Sequence, residues 1–191
     1  MDDGELIRRI ATKDHIAFKA LVEQYQSSVL STCYQILGNH QDAEDAAQEV
    51  FVKVYQKAKS FRTGSKISTW LYRIAVNLSL NHRRKQKWNR YLDILAFLKD
   101  KGGEPANVFE APEEDRPDRQ FENKERSRIL TKALDALPER QRAAMILGKI
   151  EGLSYQEIAE VLQTSLASVE SLMHRAKLNL QKKLLPLIEE I

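Results

Sequence analysis

The chain has 191 residues, a formal net charge of +3, 30% charged and 7% aromatic side chains, and a single cysteine, Cys33. This length suits one large or two small domains, and the modest net charge means that any nucleic-acid surface depends on where the charges lie. One cysteine excludes an internal disulfide, and the scattered histidines lack metal-ligand spacing. No apolar run reaches the ~18 residues of a membrane span. We therefore expect a cytoplasmic protein with no metal, no cofactor and no membrane insertion.

The first helices are predicted from apolar residues that recur every three or four positions. A short helix should cover Glu5–Ala11. A longer one should run from about His15 to Leu37, where Gly38 and Asn39 supply its stop.

The next predicted helix, from about Asp42 to Ser60, has two different faces. Its apolar stripe consists of Ala43, Ala46, Ala47, Val50, Phe51, Val54 and Ala58. The opposite side and its flank carry Asp42, Asp45, Gln48, Glu49 and Lys53. Acids in a first turn suit the helix dipole, so this side is either a favourable helix start or a docking surface for a basic partner.

The stretch from Lys66 to Arg90 is predicted to form a helix with two stripes, capped by Ser65 or Ser68. The buried stripe comprises Leu71, Ile74, Ala75 and Leu78. The second comprises Trp70, Arg73, Asn77, Asn81 and Arg84, and it leads into a basic run without acids. Trp and Arg offer planes for unstacked bases, Asn can bond to base edges, and the basic run can neutralise phosphates. We interpret this stripe as a surface for single-stranded or melted DNA rather than a merely solvated helix face.

Composition changes after the helical continuation that ends near Gly102. Between Glu104 and Arg119 there are three prolines and six acids against two arginines, which predicts a flexible acidic linker. The expected fold is all-α, with two small helical domains over residues 1–98 and 121–191, joined by a linker over residues 99–120.

The second domain is predicted to contain a helix-turn-helix. One helix is predicted over Phe121–Leu137, and a second begins with Pro138 as its first helical residue. A short helix that ends at Leu162 follows, and Ser154 and Glu157 form its capping box. A tight turn with Gln163 near the left-handed region follows, and then a helix from Leu166 to about Leu184. Its apolar positions are Ile158, Ala159, Leu162, Leu166, Val169, Met173 and Ala176. Small hydroxyl side chains and Arg175 on the outer side suit a duplex; the alternative is an ordinary helical hairpin.

These segments together resemble bacterial RNA polymerase sigma factors of the extracytoplasmic-function (ECF) group. In the first domain the resemblance rests on AFKALVEQY (17–25), DAEDAAQEVFVKVY (42–55), Phe61–Arg62 and STWLYRIAVN (68–77). In the second it rests on LDALPERQR (134–142), EGLSYQEIAEVL (151–162) and SVESLMHRAKLNL (168–180). The spacing of these segments over nearly the whole chain is what makes the resemblance specific.

The resemblance implies three binding surfaces and their partners. Contact with core RNA polymerase, at its clamp helices and flap, would use Asp42, Asp45, Gln48, Glu49 and Lys53. The −10 promoter element would be read by Arg62, Thr63, Ser65, Lys66, Trp70, Arg73, Asn77, Asn81 and Arg84. The −35 element would be read by Thr164, Ser165, Ser168, Ser171, Arg175 and Lys177. It further implies an anti-sigma factor as a partner and a linker that threads toward the polymerase active site. Three positions at the −35 helix and the turn before it carry residue types that differ from those common in the family: Gln163, Glu170 and Leu172.

Three other functions compete with this one. A stand-alone helix-turn-helix transcriptional regulator would predict dimerisation on paired half-sites and would leave the Trp70 stripe without a role. A nucleic-acid enzyme would need clustered acids or a nucleophile with its base, which the sequence does not offer, so we expect no catalytic activity. A purely structural adaptor would tolerate loss of Trp70 and Arg175.

Overall fold

The computed structural model describes residues 3–61, 64, 66–100 and 129–188, and every regular element in these ranges is helical. The first part comprises α1 (Asp3–Ala11), α2 (His15–Leu37), α3 (His40–Lys57), a 3-10 turn (Ala58–Ser60) and α4 (Ile67–Asp100). The second comprises a helical segment over residues 129–135 (α5), then α6 (Glu139–Lys149), α7 (Tyr155–Leu162) and α8 (Leu166–Ile188). The prediction of an all-α protein with two helical domains is confirmed. Apart from residues 99 and 100, which end α4, the predicted linker lies outside the described residues, and the domain boundaries stay predictions.

Side-chain caps define the start of α2 and the junction between α2 and α3. Asp14 Oδ1 accepts hydrogen bonds from the amides of Ile16 and Ala17, at 2.9 and 3.1 Å. Gly38, at φ 76°, ends α2 in the left-handed conformation, as predicted. Asn39 then caps α3, since its Oδ1 accepts from an amide 3.1 Å away. The helix therefore begins at His40, two residues before the predicted start.

The start of α4 differs from its prediction. Ser68 lies inside the helix, so it is not the cap, and Ser65 is outside the described residues. The first helical amide, Ile67 N, instead donates to Asp3 Oδ2 of α1 at 3.1 Å. A carboxylate distant in sequence thus satisfies a first-turn donor that the local sequence leaves open. From there α4 continues unbroken through 34 residues.

The core of the first domain forms where α2, α3 and α4 meet. All seven apolar residues predicted for α3 are buried. Of the predicted α4 stripe, Leu71, Ala75 and Leu78 are buried and Ile74 is partly buried. Cys33 is fully buried, and this burial raises the pKa of its thiol to about 11, so the side chain is a protonated core residue.

The helix-turn-helix forms as predicted, with two differences in detail. The Ser154–Glu157 capping box is present, and Gln163 has φ 49° and ψ 56°, in the left-handed region. Pro138, however, occupies the position before the first helical residue of α6. Leu166 is 43% exposed instead of buried, because it begins α8 at the outer end of the turn. The other predicted core positions of the motif are buried or partly buried.

The two domains pack directly against each other. Ile36 of α2 and Val76 and Leu80 of α4 belong to the same buried cluster as the core of the second domain, including Ile146 and Ile158. These three side chains are at most 7% exposed. Because Val76 and Leu80 are four residues apart, they form a second apolar stripe on α4, next to the stripe that faces the first core. This second stripe was not predicted from the sequence.

Gly148 lies at a close approach within the second core. A Cβ atom there would be 3.2 Å from Ile158 Cδ1 and 3.3 Å from Met173 Cε. We expect Gly148→Val to lower the free energy of unfolding by about 1–3 kcal/mol, since two further methyl groups would be forced between packed helices. Chemical denaturation measures this loss. Gly148→Ala, which adds Cβ alone, is the matched control, and an equally stable valine variant would contradict the packing described here.

Candidate nucleic-acid and polymerase surfaces

The residues predicted to contact melted DNA lie along one side of α4. We call Lys66, Trp70, Arg73, Asn77, Asn81 and Arg84 the Trp70 face. Trp70 and Arg73 are half-buried, and the other four are exposed. The Trp70 ring packs against Phe61, with ring centroids 5.2 Å apart. Arg73 Nε has no hydrogen-bond partner among the described residues. Arg62, Thr63 and Ser65, also predicted for this surface, lie outside the described residues.

The Trp70 face continues further along α4 than the sequence analysis proposed. Because α4 is unbroken, Trp88 lies 18 residues, or five helical turns, beyond Trp70 on the same side. Trp88 and Tyr91 are 61% and 53% exposed, and their ring centroids are 6.0 Å apart. No acid occurs in the sequence between these aromatic residues and Trp70. Extending the same three-and-four spacing past Arg84 would have found them.

Acids of the second domain bind both ends of the Trp70 face. Lys66 Nζ lies 2.6 Å from Glu157 Oε1, and Arg84 Nε donates to Glu139 Oε2 at 2.8 Å. Between them, Tyr72 donates to Glu151 Oε2 at 3.1 Å. The second domain therefore lies along one flank of this face.

A partly buried cluster of charges fixes the same contact at the end of α2. Arg142, which is 1% exposed, pairs with Asp135 and donates to the carbonyl of Gln35 through Nε (3.2 Å) and Nη2 (2.6 Å). Arg83 donates to the carbonyl of Ile36 at 2.8 Å and to Asp135 Oδ1 at 2.9 Å. Two arginines thus supply donors to the last carbonyls of a helix, groups that have no partner within the helix itself.

The polar side of α3 carries the residues predicted to contact polymerase. Asp45 and Gln48 are exposed, whereas Asp42 accepts from Gln86 of α4 at 2.8 Å. Glu49 pairs with Lys53 at 2.9 Å and lies 3.3 Å from His82 of α4. Hydrogen bonding to Lys53, with a further contribution from His82, lowers the pKa of the Glu49 carboxyl. These contacts place the polar side of α3 beside the second half of α4.

The outer side of the helix-turn-helix is open to solvent while the two domains pack against each other. Ser165 Oγ accepts from the amide of Ser168 at 3.2 Å, and their hydroxyls lie 2.9 Å apart. Thr164, Ser168 and Ser171 are partly exposed, and Ser165, Arg175 and Lys177 are exposed. All six residues predicted to contact the −35 element are therefore at least partly exposed, and the contacts given among them join Ser165 and Ser168.

Within residues 3–61, 64, 66–100 and 129–188, no group of three or more metal-ligating side chains could hold a metal ion. Over the same part of the chain, no helix has the length and apolar character needed to cross a bilayer.

Comparison with known proteins decides the family. The Sigma-70 region 2 model matches residues 21–89, and the Sigma-70 region 4 model matches residues 127–180. The RNA polymerase sigma-H factor of Pseudomonas aeruginosa is 35% identical, over 98% of this chain and 96% of that protein. The ECF RNA polymerase sigma factor SigW of Bacillus subtilis is 34% identical, over 93% and 94%. The chain belongs to the ECF group of RNA polymerase sigma factors. Its function is promoter-specific initiation of transcription, and the stand-alone regulator is not favoured.

Solved structures agree with this assignment. CnrH, in complex with the cytosolic domain of CnrY, has the same fold, with a TM-score of 0.68 at 22% identity over 95% of this sigma factor and 96% of that chain. RpoE of Bartonella quintana, in complex with the anti-sigma factor NepR, has a TM-score of 0.59 at 26% identity, covering 87% and 96%.

The pair between Lys66 and Glu157 predicts that the stability of the sigma factor depends on pH. Hydrogen bonds from Lys66 and from the amide and hydroxyl of Ser154 lower the pKa of the Glu157 carboxyl to about 2. A lowered pKa contributes stability above the unfolded value near 4.5, and this contribution is lost as the pH falls toward 2. We expect Glu157→Gln to unfold at a lower temperature than the natural protein at pH 6, with the difference shrinking between pH 4.5 and 2. Thermal unfolding followed by circular dichroism measures this, and a difference independent of pH would contradict it.

Proposed function

We propose that this ECF sigma factor binds core RNA polymerase through the polar side of α3 and binds the melted −10 strand on the Trp70 face. The single observation that carries the proposal is the side of α4 from Trp70 to Tyr91, which carries no acid and is half-buried at its start and exposed from Asn77 onward. Aromatic and guanidinium planes on such a surface favour single strands, since every base has a face that can stack.

The two surfaces of the first domain are adjacent, which supports their use in one complex. The pairs Asp42–Gln86 and Glu49–His82 connect α3 to the half of α4 that carries Trp88. A polymerase segment docked on Asp45 and Gln48 would therefore lie close to the strand on α4. We propose the clamp helices of core polymerase as that segment and the flap as the contact of the second domain.

The free-energy cost of flipping a base out of the duplex and the gain from stacking it on the protein are similar in size. Flipping a base costs a few kcal/mol, and stacking on an aromatic side chain returns about 1–3 kcal/mol per base. Trp70 is suited to this role because Phe61 supports one side of its ring while the residue stays partly exposed. Asn77 and Asn81 would bond to base edges, and Lys66 and Arg84 would bind phosphates. Arg62, Thr63 and Ser65 of the preceding loop complete the proposed site.

The helix-turn-helix would hold duplex DNA at the −35 element. Thr164, Ser165 and Ser168 lie at the start of α8, where the positive end of the helix dipole favours phosphate. Ser171, Arg175 and Lys177 would reach the major groove, at ~1–3 kcal/mol of discrimination for each good base contact. These contacts need only exposed side chains, and no catalytic group takes part. The protein would act in the cytoplasm, and an anti-sigma factor is a further proposed partner, as for the Bartonella quintana relative.

The −10 and −35 contacts cannot be made at the same time while the two domains pack against each other. The −10 and −35 elements lie about 25 base pairs apart, or ~80 Å at 3.4 Å per base pair. Two packed domains, each ~30 Å across for this chain length, cannot span that distance. The proposed function therefore requires the domains to separate when the sigma factor binds promoter and polymerase.

Run-off transcription tests the proposal directly. Purified core polymerase, this chain and a promoter library with randomised −10 and −35 positions should yield transcripts whose templates share a preferred sequence at both elements. Core polymerase without the chain is the control. Absence of chain-dependent initiation at every promoter would overturn the proposal.

Trp88 provides a test of how far the DNA surface extends. The chain has two tryptophans, Trp70 and Trp88, so Trp70→Phe and Trp88→Phe each leave one fluorescent reporter. We expect single-stranded DNA to quench both variants, because stacked bases quench indole and the two residues lie on one side of α4. Quenching in the Trp88→Phe variant alone would limit the surface to the first half of the helix.

A further inference from the structure

We infer that Glu170 determines base specificity at the −35 element by accepting a hydrogen bond from the N4 amino group of one cytosine in the major groove. This inference rests on the proposed contact between the helix-turn-helix and duplex DNA. Its physical basis is an exposed carboxylate on the side of α8 that is proposed to face DNA.

Glu170 lies on the outer side of α8, near the start of the helix. It is the fifth residue of α8, about 6 Å along the axis from Leu166. Steps of three and four residues place Ala167, Ser171 and His174 on the same side, and all four positions are exposed or partly exposed. The opposite side packs into the second core through Val169, Met173 and Ala176. The second helix of a helix-turn-helix contacts base edges through residues near its N-terminus, so the carboxylate would face the major groove.

Within residues 129–188, Glu170 differs from the other acids in its contacts. Each of the others interacts with a side chain of the first domain: Asp135, Glu139, Glu151, Glu157 and Glu160. No hydrogen bond or ion pair joins Glu170 to another residue in the described part of the chain. Its carboxylate is therefore free to accept hydrogen bonds from a ligand.

Stabilisation of the helix itself does not account for an acid at this position. Acids favour a helix when they lie in its first turn, and Glu170 lies beyond the first turn of α8. Ion pairs along a helix need a cation three or four residues away, and those positions carry neither Lys nor Arg. His174, four residues further on, forms no ion pair with Glu170 within the described ranges. An intermolecular partner is thus the remaining role for this carboxylate.

Cytosine is the base whose major-groove edge suits a carboxylate. Phosphates repel a carboxylate, and removing its hydration is costly unless a hydrogen-bond donor replaces the water. The major-groove donors are the N4 amino group of cytosine and the N6 amino group of adenine. Adenine places the N7 acceptor beside its donor, an arrangement that suits the amide of Asn or Gln and repels a carboxylate. Glu170 would therefore select a C·G pair.

Run-off transcription with purified core polymerase and a library randomised at the −35 element tests this assignment. We expect the natural chain to favour a C·G pair at one −35 position by roughly fivefold, the lower limit for a good base contact. Glu170→Gln should transfer the preference at that position to A·T, because Gln bonds to both N6 and N7 of adenine. Glu170→Ala should abolish the preference there and leave the other −35 preferences in place. Circular dichroism verifies the fold of each variant.

Glu160→Gln is the matched control, since Glu160 is an exposed acid on α7 and its replacement changes the net charge equally. This control should leave the base preference at every −35 position unchanged. If both Glu170 variants increased initiation at all −35 sequences alike, the carboxylate would do no more than repel phosphates, and the inference would be wrong. It would also be wrong if the natural chain showed −35 preferences that neither Glu170 variant altered. In both cases chain-dependent initiation persists and the proposed function stands, whereas absence of initiation at every promoter overturns the two together.

Discussion

Replacing Trp70 with alanine is expected to reduce run-off initiation on a linear promoter by roughly 5- to 150-fold, while core polymerase binding stays unchanged. The range corresponds to the loss of about 1–3 kcal/mol of base stacking. Trp70 is the aromatic plane on the half of α4 next to the first core, and the structure leaves it partly exposed. The measurement is transcript yield at fixed polymerase with increasing amounts of the sigma factor.

Two controls separate stacking from packing in this experiment. Phe61→Leu removes the ring that contacts Trp70 but leaves the indole in place, so it should affect thermal stability more than initiation. A template with a premelted −10 region should shrink the defect of Trp70→Ala, because the cost of unstacking has already been met. If Phe61→Leu reduced initiation as strongly as Trp70→Ala, the tryptophan would act through packing alone.

Reversing the charge of Asp45 is expected to weaken core polymerase binding by roughly 10- to 100-fold and to reduce initiation at every promoter alike. Asp45 is exposed on the polar side of α3, and like charges placed across an interface cost several kcal/mol. Asp45→Lys should leave the thermal unfolding temperature nearly unchanged, since surface substitutions usually alter stability by less than about 0.5 kcal/mol. Surface plasmon resonance with immobilised core polymerase measures the affinity.

Glu23→Lys is the matched control for this reversal. Glu23 is an exposed acid of α2 whose side chain lies 3.7 Å from Lys19, and its replacement changes the net charge equally. The control should bind core polymerase as the natural chain does. Equal loss in both variants would mean that overall charge, rather than a docking surface on α3, governs the affinity.

The helices and the helix-turn-helix were predictable because their signals are local. Periodic apolar residues identified the buried stripe of α3, and the capping box at Ser154 identified the start of α7. The left-handed conformation of Gln163 followed from the length of the turn. Each of these features depends on residues within a few positions of one another, so the sequence contains the whole cause.

Features that depend on distant residues were missed or predicted wrongly. The first amide of α4 is bound by Asp3, 64 residues away, whereas the local sequence suggested a serine cap. Leu166 was predicted to be buried from its spacing, yet no neighbouring helix covers it fully, and it is 43% exposed. Trp88, by contrast, lies within the helix predicted from Lys66 to Arg90, and it was left out of the DNA surface because the stripe was not extended past Arg84.

The sequence by itself determined that this protein is all-α, has two helical domains, and carries an acid-free aromatic and basic stripe, because side-chain order along a helix is set by its period. Only the tertiary structure decided that Val76 and Leu80 are buried by the second domain and that Glu157 and Glu139 bind Lys66 and Arg84. The reason is physical: an apolar pair or an exposed lysine has the same local sequence whether it faces solvent, DNA or another domain, and its partner is fixed only when distant helices pack.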